Sequence, residues 1–337
     1  MRFLLRATLV GLLIPIAVGA QSVAPDFLDV PKTHPSYTSV MHLRSQGMLG
    51  GYSDGTFKPS QLVDRAAVLK MVLAGRVTQE QVASLKNPGF TDVAADAWYV
   101  GFAAKAVGLG IIDGPPKAVV FNGSRPVILA EFLKMLMLAQ GMNPDNYNEF
   151  RTAFSSDVND DKTWFYPYMR LGLATSTIQI DEQGMLYPSK KLTRADVADL
   201  VYRLLMYKES RRAQALLLTA ETELSGNFLN NLKAETLAFA KMAGARAMIA
   251  VRGALTSRPD NVVVKGAVKV AEGFNALGDA FEAGIGGRPD DAIGFAKKAY
   301  QLGEQAKQFS STLSTIVTSM QQIAAKMADE ARAVKGQ

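Results

Sequence analysis

The sequence predicts a mainly α-helical fold in which three related helix–turn–helix units precede a bundle of long helices. Two observations carry this prediction. A pattern of aromatic, glycine and apolar positions recurs three times between residues 27 and 208. Beyond residue 208, apolar residues recur at three- and four-residue spacing among Ala, Leu, Lys, Glu and Gln, which is typical of amphipathic helices.

Composition narrows the classes of function. The 337 residues are enough for two or three domains, and the net charge of +6 suits a negatively charged partner but is too small to indicate nucleic acid. The absence of cysteine excludes disulfides, thiol catalysis, thiolate metal sites and a lipidated N-terminal cysteine. Only two histidines are present, which leaves little for a histidine-based mechanism or a zinc site. We expect no catalytic residues, no bound metal centre and no cofactor.

The N-terminus has the pattern of a signal peptide at residues 1–20. Arg2 and Arg6 precede an uncharged apolar run over residues 9–18, and small residues follow at 18–20. A retained membrane anchor is the alternative, although the run is short for a spanning helix. We expect an exported protein that is either soluble or attached to a surface.

The first repeat, residues 27–84, is built around a tight turn. Residues 51–59 read Gly-Tyr-Ser-Asp-Gly-Thr-Phe-Lys-Pro, in which the Asp-Gly pair favours a bend and a positive φ. Amphipathic stretches at 40–48 and 65–73 flank this turn and predict two helices.

Two further copies follow, at residues 90–148 and 154–208. Phe-Thr-Asp-Val at 90–93 stands 63 residues after Phe-Leu-Asp-Val at 27–30, and the third copy ends in Thr-Arg-Ala-Asp at 193–196. Self-similarity of this kind indicates that each copy is one supersecondary unit whose apolar face is buried against its neighbours.

These motifs resemble those of the S-layer homology (SLH) domain. The resemblance rests on Phe-x-Asp-Val, the Gly-Tyr-x-Asp-Gly-Thr-Phe-x-Pro turn and Thr-Arg-Ala-Asp, and it covers residues 27 to about 208. It implies a pseudo-threefold, mostly helical triplet whose grooves bind anionic, often pyruvylated, cell-wall polysaccharide. In some relatives the ligand is a peptidoglycan-linked polymer.

Two arginines are the main candidates for glycan binding. Arg65 and Arg194 lie at the position of the family's Thr-Arg-Ala-Glu arginine, where a guanidinium and a helix N-terminus both favour a carboxylate. The alternative is that each arginine pairs with a nearby carboxylate, Asp64 or Asp196. Leu129 occupies the arginine position in the second copy, which predicts either that only two grooves are competent or that the triplet binds its polymer weakly.

Four other residues complete the predicted glycan site. Gly51 and Asp54 belong to the tight turn, where glycine allows close approach of a ligand to the backbone. Trp98 and Trp164 fall near the family's aromatic position, so they either stack on sugar rings or belong to the core.

Aspartates at the start of each copy are predicted to be structural. We expect Asp29, Asp92 and Asp157 to be N-caps of the first helices. Alternating oxygens in residues 157–161 resemble the start of a calcium loop, but Lys162 stands where an EF-hand needs glycine. This leaves at most a loosely bound calcium ion.

Residues 209–337 predict a compact helical bundle. Breaks at 257–260 and 284–290 divide it into three long helical stretches, the first of which is predicted to continue directly from the last helix of the repeats. The apolar stripe is either an internal seam of the bundle or a surface for self-association or partner docking.

The sequence favours a non-catalytic envelope protein anchored by its repeats, with the helical domain for assembly, spacing or docking. One alternative is an enzyme acting on cell-wall glycan, but residues 209–337 contain no histidine, cysteine or tryptophan and no nucleophile elbow. The other alternative is a tether between the outer membrane and the wall.

Overall fold

The computed structural model describes residues 26–74 and 76–336, and the predicted signal peptide lies outside them. The described chain is mainly α-helical, as the sequence predicts, and its strand pairing is limited to isolated bridges. Among the described residues, no helix is both long enough and apolar enough to cross a membrane.

Each repeat contains two principal helices separated by the glycine-containing turn. The first helix of each repeat ends in a left-handed residue, at Gly47, Gly110 and Ser176. The helices of residues 26–208 are α1 (Tyr37–Ser45), α2 (Arg65–Leu73), α3 (Gln79–Ala83), α4 (Val100–Gly108), α5 (Leu129–Ala139), α6 (Tyr166–Ala174) and α7 (Arg194–Lys208).

The three repeats close into a ring through a cycle of backbone hydrogen bonds. Val63 donates its N–H to the carbonyl of Leu192 at 3.0 Å, Leu192 donates to Val127 at 3.1 Å, and Val127 donates to Val63 at 2.9 Å. The three side chains are buried at the centre of this cycle. Because equivalent residues bond in the same direction around the ring, the triplet has pseudo-threefold symmetry.

Contacts between helices also join the three repeats into a ring, at its periphery. The second helix of each repeat packs against the first helix of the next, so that α2 meets α4, α5 meets α6, and α7 returns to α1. The backbone N–H at the start of each second helix also bonds to a carbonyl of the adjacent repeat, as Arg194 does to Gln61 at 2.9 Å. Each repeat therefore needs both neighbours to satisfy its backbone and bury its core.

The prediction that Asp29, Asp92 and Asp157 cap the first helices is wrong. The residue preceding α1 is Ser36, and it makes no side-chain capping bond. The Asp29 carboxylate instead accepts the N–H groups of Phe57 and Lys58, both at 2.7 Å.

The other two aspartates repeat the arrangement of Asp29. Asp92 accepts the N–H groups of Phe121 and Asn122, and Asp157 accepts those of Leu186 and Tyr187. The second residue of each pair of N–H donors has a positive φ, of 55° to 57°. Each carboxylate therefore fixes the return of the chain after the turn, because it satisfies two successive N–H groups that no helix or strand would satisfy.

The C-terminal part is a helical bundle, as predicted, but its first stretch is not one helix. α7 ends at Lys208, and left-handed residues at Ser210 and Glu235 break the chain twice before the first long helix begins. The elements are α8 (Ala213–Thr222), a π-helix (Glu223–Phe228), α9 (Leu229–Lys233), α10 (Leu237–Ser257), α11 (Val262–Ile285), α12 (Pro289–Phe309), a 3₁₀ turn (Ser311–Leu313) and α13 (Ser314–Lys335).

Glycines allow close packing within the bundle. A Cβ added at Gly244 or Gly273 would lie 2.4 Å from Asn275 or Met320 of a neighbouring helix. The bundle packs on the repeats in the same way, because Gly253 of α10 contacts the backbone of Ala174 at the end of α6. The bundle and the third repeat therefore share one continuous core.

Candidate functional site

Two grooves lie between neighbouring repeats and contain most of the residues predicted to bind glycan. Groove A has a volume of about 700 Å³ and is lined by Leu49, Gly50, Tyr52, Lys70, Trp98 and Arg194, among others. Groove B has a volume of about 530 Å³ and is lined by Arg65, Ile112, Asp113, Lys117, Phe121, Glu131, Lys134, Trp164 and Tyr168, among others. Each groove thus combines an arginine, a turn segment and a tryptophan from three different repeats.

Arg194 is held at one wall of groove A by two backbone carbonyls. It is the first residue of α7, and its Nε donates to the Phe57 carbonyl at 2.7 Å while Nη2 donates to the Gly50 carbonyl at 2.9 Å. Its guanidinium also lies over the Phe57 ring, 4.5 Å from the ring centre. Nη1 makes no hydrogen bond to the described residues, so the N–H donors of Nη1 are oriented by the rest of the guanidinium and open to a ligand.

The charged side chains among the described residues that line groove A are all cationic. Lys70 is exposed on α2, with its ammonium 5.9 Å from the centre of the Trp98 ring, and Trp98 itself is 57% exposed. Among the described residues that line groove A, none is acidic. Burial lowers the pKa of Arg194, but a guanidinium remains charged in proteins, so the groove presents two positive charges beside an open indole face.

Arg65 begins α2 in the same way and lies in groove B. Its Nε donates to the Phe121 carbonyl at 3.1 Å, the equivalent of the bond from Arg194 to Phe57. Its Nη1, however, lies 3.8 Å from a carboxylate oxygen of Glu131, and Arg125 approaches the same oxygen at 2.6 Å. Asp64, the predicted alternative partner, instead caps α2 through the N–H of Ala67.

The remaining charges of groove B also pair with one another. Asp113 bonds to Lys117 at 2.8 Å and lies 3.7 Å from Lys134. The hydrogen bond from Lys117 lowers the pKa of Asp113, so this carboxylate is ionised at neutral pH. Trp164, which is 51% exposed, occupies the position that Trp98 has in groove A. Groove B therefore has the same arginine, turn segment and tryptophan as groove A, but carboxylates pair with its cations.

The third interface between repeats lacks the corresponding cations. Leu129 starts α5 where the other repeats have arginine, and Asp199 of α7 stands where they have Lys70 and Lys134. Asp199 accepts hydrogen bonds from Ser36 and Ser39 of the first repeat. The loop of the third repeat that begins at Ser176 would line this groove, but its first residues are buried. Arg212, which precedes the bundle helix α8, donates a hydrogen bond to the Ser176 hydroxyl.

Two predicted site residues have mainly structural surroundings. Asp54 accepts the N–H and hydroxyl of Thr56, at 3.0 and 2.6 Å, and lies outside the residues that line groove A. Gly51 does line groove A, but a Cβ there would lie 2.3 Å from the Phe27 ring. The turn therefore requires glycine at residue 51 whether or not a ligand is bound.

The structure adds three residues that the sequence reasoning missed: Lys70, Asp113 and Glu131. A signal was available, because alignment of the repeats places Asp113 opposite Gly50 and Glu131 opposite Ala67. Charge differences at equivalent positions of a repeat indicate differences between binding surfaces, since the shared residues already account for the fold.

The proposed calcium loop has other contacts in the structure. Asp157 bonds to backbone N–H groups of residues 186 and 187, and Asp161 lies 3.7 Å from Arg151. Within residues 26–74 and 76–336, no cluster of three or more His, Cys, Asp or Glu side chains is arranged to hold a metal ion. The loosely bound calcium ion stays a prediction.

Comparison with known proteins identifies the repeats. The family model described as S-layer homology domain matches residues 26–69 and 89–133. These two segments contain the turn and the second-helix start of the first and second repeats, so the resemblance seen in the sequence is confirmed. The third repeat lies outside the matched residues and is equivalent to the other two through its hydrogen bonds in the ring.

Several curated proteins are similar to this chain. S-layer protein EA1 of Bacillus anthracis is 26% identical over 195 residues, 58% of this chain and 21% of that protein. Cell surface glycoprotein 1 of Acetivibrio thermocellus is 36% identical over 173 residues, 49% of this chain and 7% of that protein. Exoglucanase XynX of the same species is 28% identical over 166 residues, 48% of this chain and 15% of that protein.

This chain therefore spans at most about a fifth of the length of these relatives. Its SLH domains, and the surface proteins that share them, confirm the predicted location of the protein in the cell envelope. The coarse function that follows is that of an envelope protein anchored through SLH domains.

Proposed function

We propose that the SLH domains of this chain bind it non-covalently to a cell-wall polysaccharide bearing carboxylates, and that the chain is not an enzyme. Pyruvylated wall glycan and peptidoglycan-linked acidic polymers both have this chemistry. The helical domain, residues 209–337, would then assemble with other copies, space the anchor from the rest of the envelope or dock a partner.

The observation that carries this proposal is the convergence of three repeats on groove A. Arg194 comes from the third repeat, Lys70 from the first and Trp98 from the second. A guanidinium and an ammonium favour a carboxylate, while the exposed indole offers a flat apolar face to a sugar ring. An extended acidic glycan can satisfy all three together, because the groove is open along its length and contains no acidic side chain among its described lining residues.

The non-catalytic part of the proposal is supported by the relatives and by the shape of the site. EA1 is named an S-layer protein, and two others are named surface layer protein and middle cell wall protein. Hydrolysis of a glycoside requires two carboxyl groups that face one sugar cleft. The carboxylates of groove B pair with lysines and arginines instead.

Sedimentation with purified wall sacculi tests the anchor. Lys70→Ala combined with Trp98→Ala should reduce the amount of chain that pellets by about tenfold, because it removes the ammonium and the indole that we propose contact the glycan. Both side chains are exposed and contribute little to the fold, so the variant should remain folded. The control Lys326→Ala removes an exposed lysine of α13 and should pellet like the unaltered chain. Removal of the acidic polymer from the sacculi should release all variants. Equal pelleting of the groove variant and the control, or pelleting that survives removal of the polymer, would contradict the proposal.

A further inference from the structure

Grooves A and B differ in charge although their folds are equivalent. Arg194 and Lys70 of groove A face no carboxylate among the described lining residues, whereas Asp113 and Glu131 face the cations of groove B. The positions of these two acids are occupied in groove A by Gly50 and Ala67, which line the same part of the groove. Glu131 also accepts the N–H of Ile128 at 3.5 Å at the start of α5. The other polar contacts of the two acids with the described residues are made with the cations of groove B.

The pairing in groove B is extensive. Glu131 lies within ion-pair distance of both Arg65 and Arg125, and Asp113 lies within ion-pair distance of both Lys117 and Lys134. A ligand carboxylate that entered groove B would have to displace one of these acids or lie beside it. Either event costs free energy, through a lost charged hydrogen bond or through repulsion between like charges.

We infer that the two grooves take different sugars: groove A binds a carboxylate-bearing residue of the wall polysaccharide, and groove B binds an uncharged residue. This inference rests on the proposed function and extends it to the ligand class of each groove. In groove B, Asp113 and Glu131 act as specificity-determining residues, because a carboxylate accepts hydrogen bonds from sugar hydroxyls but repels another carboxylate. Trp164 and Tyr168 supply the aromatic surface there.

The chain provides a separate reporter for each groove. It contains two tryptophans, Trp98 in groove A and Trp164 in groove B, and each is about half exposed. Trp164→Phe leaves a fluorescent indole only in groove A, and Trp98→Phe leaves one only in groove B. Binding at each groove can therefore be followed in the full chain by tryptophan emission.

The test uses one polymer in two charge states. Soluble polysaccharide released from the wall is divided, and the carboxylates of one half are reduced to alcohols. Each form is titrated at low ionic strength into both single-tryptophan proteins. We expect the groove A reporter to bind the native polymer about tenfold more tightly than the reduced polymer, the difference expected for one charged hydrogen bond. The groove B reporter should bind the reduced polymer at least as tightly as the native one.

Neutralising groove B should then change its preference. Asp113→Asn with Glu131→Gln keeps the shape of both side chains and should raise affinity for the native polymer at the groove B reporter by about tenfold. Asp113→Gly with Glu131→Ala, which copies groove A, is a second variant in case the first disturbs the start of α5. Asp329→Asn with Glu330→Gln changes the net charge equally at exposed positions of α13 and should have no effect.

Two results would overturn the inference alone: a groove B reporter that prefers the native polymer as strongly as the groove A reporter does, or no gain from either groove B variant. Unchanged tryptophan emission of both reporters, while the chain still pellets with sacculi, would also overturn it, because binding would then occur elsewhere. Failure of the unaltered chain to pellet with sacculi is a different outcome, since it would contradict the proposed function itself.

Discussion

The side chain of Arg194 donates a 2.7 Å hydrogen bond to the carbonyl of Phe57, although the two residues are 137 positions apart in the chain. This bond joins the third repeat to the first and closes the ring. It also holds the guanidinium beside Lys70 in groove A. Ring closure and the proposed ligand binding therefore involve the same side chain.

Replacement of Arg194 by lysine should separate charge from geometry. A lysine retains the positive charge but cannot bond both the Phe57 and Gly50 carbonyls, since it lacks the planar fork of a guanidinium. We expect Arg194→Lys to lower the free energy of unfolding by about 1–3 kcal/mol and to weaken pelleting with sacculi. Urea unfolding measures the first effect and sedimentation the second.

Two controls bracket that result. Arg65→Lys breaks one bond to a carbonyl instead of two and should cost less. Arg211→Lys alters an exposed arginine and should leave both quantities unchanged. Equal stability of Arg194→Lys and Arg211→Lys would show that the contact with the first repeat contributes nothing to ring closure.

The carboxylate of Asp92 predicts a dependence of stability on pH. Although its partial burial alone would raise the pKa, the N–H groups of Phe121 and Asn122 outweigh that effect and lower the pKa of Asp92. The unfolded chain, with an aspartate pKa of about 3.9, therefore binds this proton more readily than the folded chain. The contribution of Asp92 should be fully present above about pH 5 and lost as the pH falls through the lowered pKa of the folded chain.

Asp92→Asn tests this contribution directly. The variant should be less stable than the unaltered chain by about 1 kcal/mol at neutral pH, because one amide oxygen replaces two charged acceptors. The difference should shrink as the pH falls below about 4, when Asp92 itself becomes protonated. Asp96→Asn, in the same repeat and without a side-chain bond to the described residues, serves as the control. A difference that does not change with pH would contradict the role of the ionised carboxylate.

The sequence predicted local features of the repeats better than their long-range partners. Arg65 and Arg194 were placed correctly at helix starts because the Arg-Ala motif and the turn before it are local signals. The role of Asp29 was missed because its partners, Phe57 and Lys58, lie 28 and 29 residues further along. A cap is the local use of an aspartate, and only the folded turn reveals the other use.

In the helical domain, too, the sequence predicted only the breaks that have a local signal. The break between α11 and α12 falls at a Gly-Gly-Arg-Pro segment and was predicted, since glycine and proline mark helix ends. The breaks at Ser210 and Glu235 were missed because residues other than glycine adopt the left-handed conformation there. A contact with the end of α10 holds Ser210, whose hydroxyl donates to the Ser257 carbonyl at 3.0 Å.

The contact between Gly253 and Ala174 predicts that close packing of the bundle on the repeats contributes to the stability of the chain. A Cβ at residue 253 would lie 1.7 Å from the Ala174 carbonyl oxygen, so Gly253→Ala should force α10 away from α6 and cost about 3 kcal/mol. Gly294→Ala is the matched control in α12, where an added Cβ meets nothing within 4 Å. It should stabilise the chain by about 0.5–1 kcal/mol, because alanine favours helix. Urea unfolding of both variants would contradict the prediction if their shifts had the same sign.

The last prediction concerns a buried ion pair at the same junction. Arg246 of α10 bonds to both carboxylate oxygens of Glu223 at 2.7 Å and to the Phe154 carbonyl of the third repeat at 3.1 Å, and both side chains of the pair are nearly buried. Arg246→Met should cost about 3–5 kcal/mol, because it leaves an uncompensated buried carboxylate.

Glu223→Leu combined with Arg246→Met should recover much of that loss, since the double variant buries no unpaired charge. A double-mutant cycle in urea gives the coupling between the two residues. The recovery should be incomplete, because the Phe154 carbonyl still lacks its donor in the double variant. Strictly additive effects of the two substitutions would contradict the pairing and would leave the Phe154 bond as the main contribution of Arg246 to the junction.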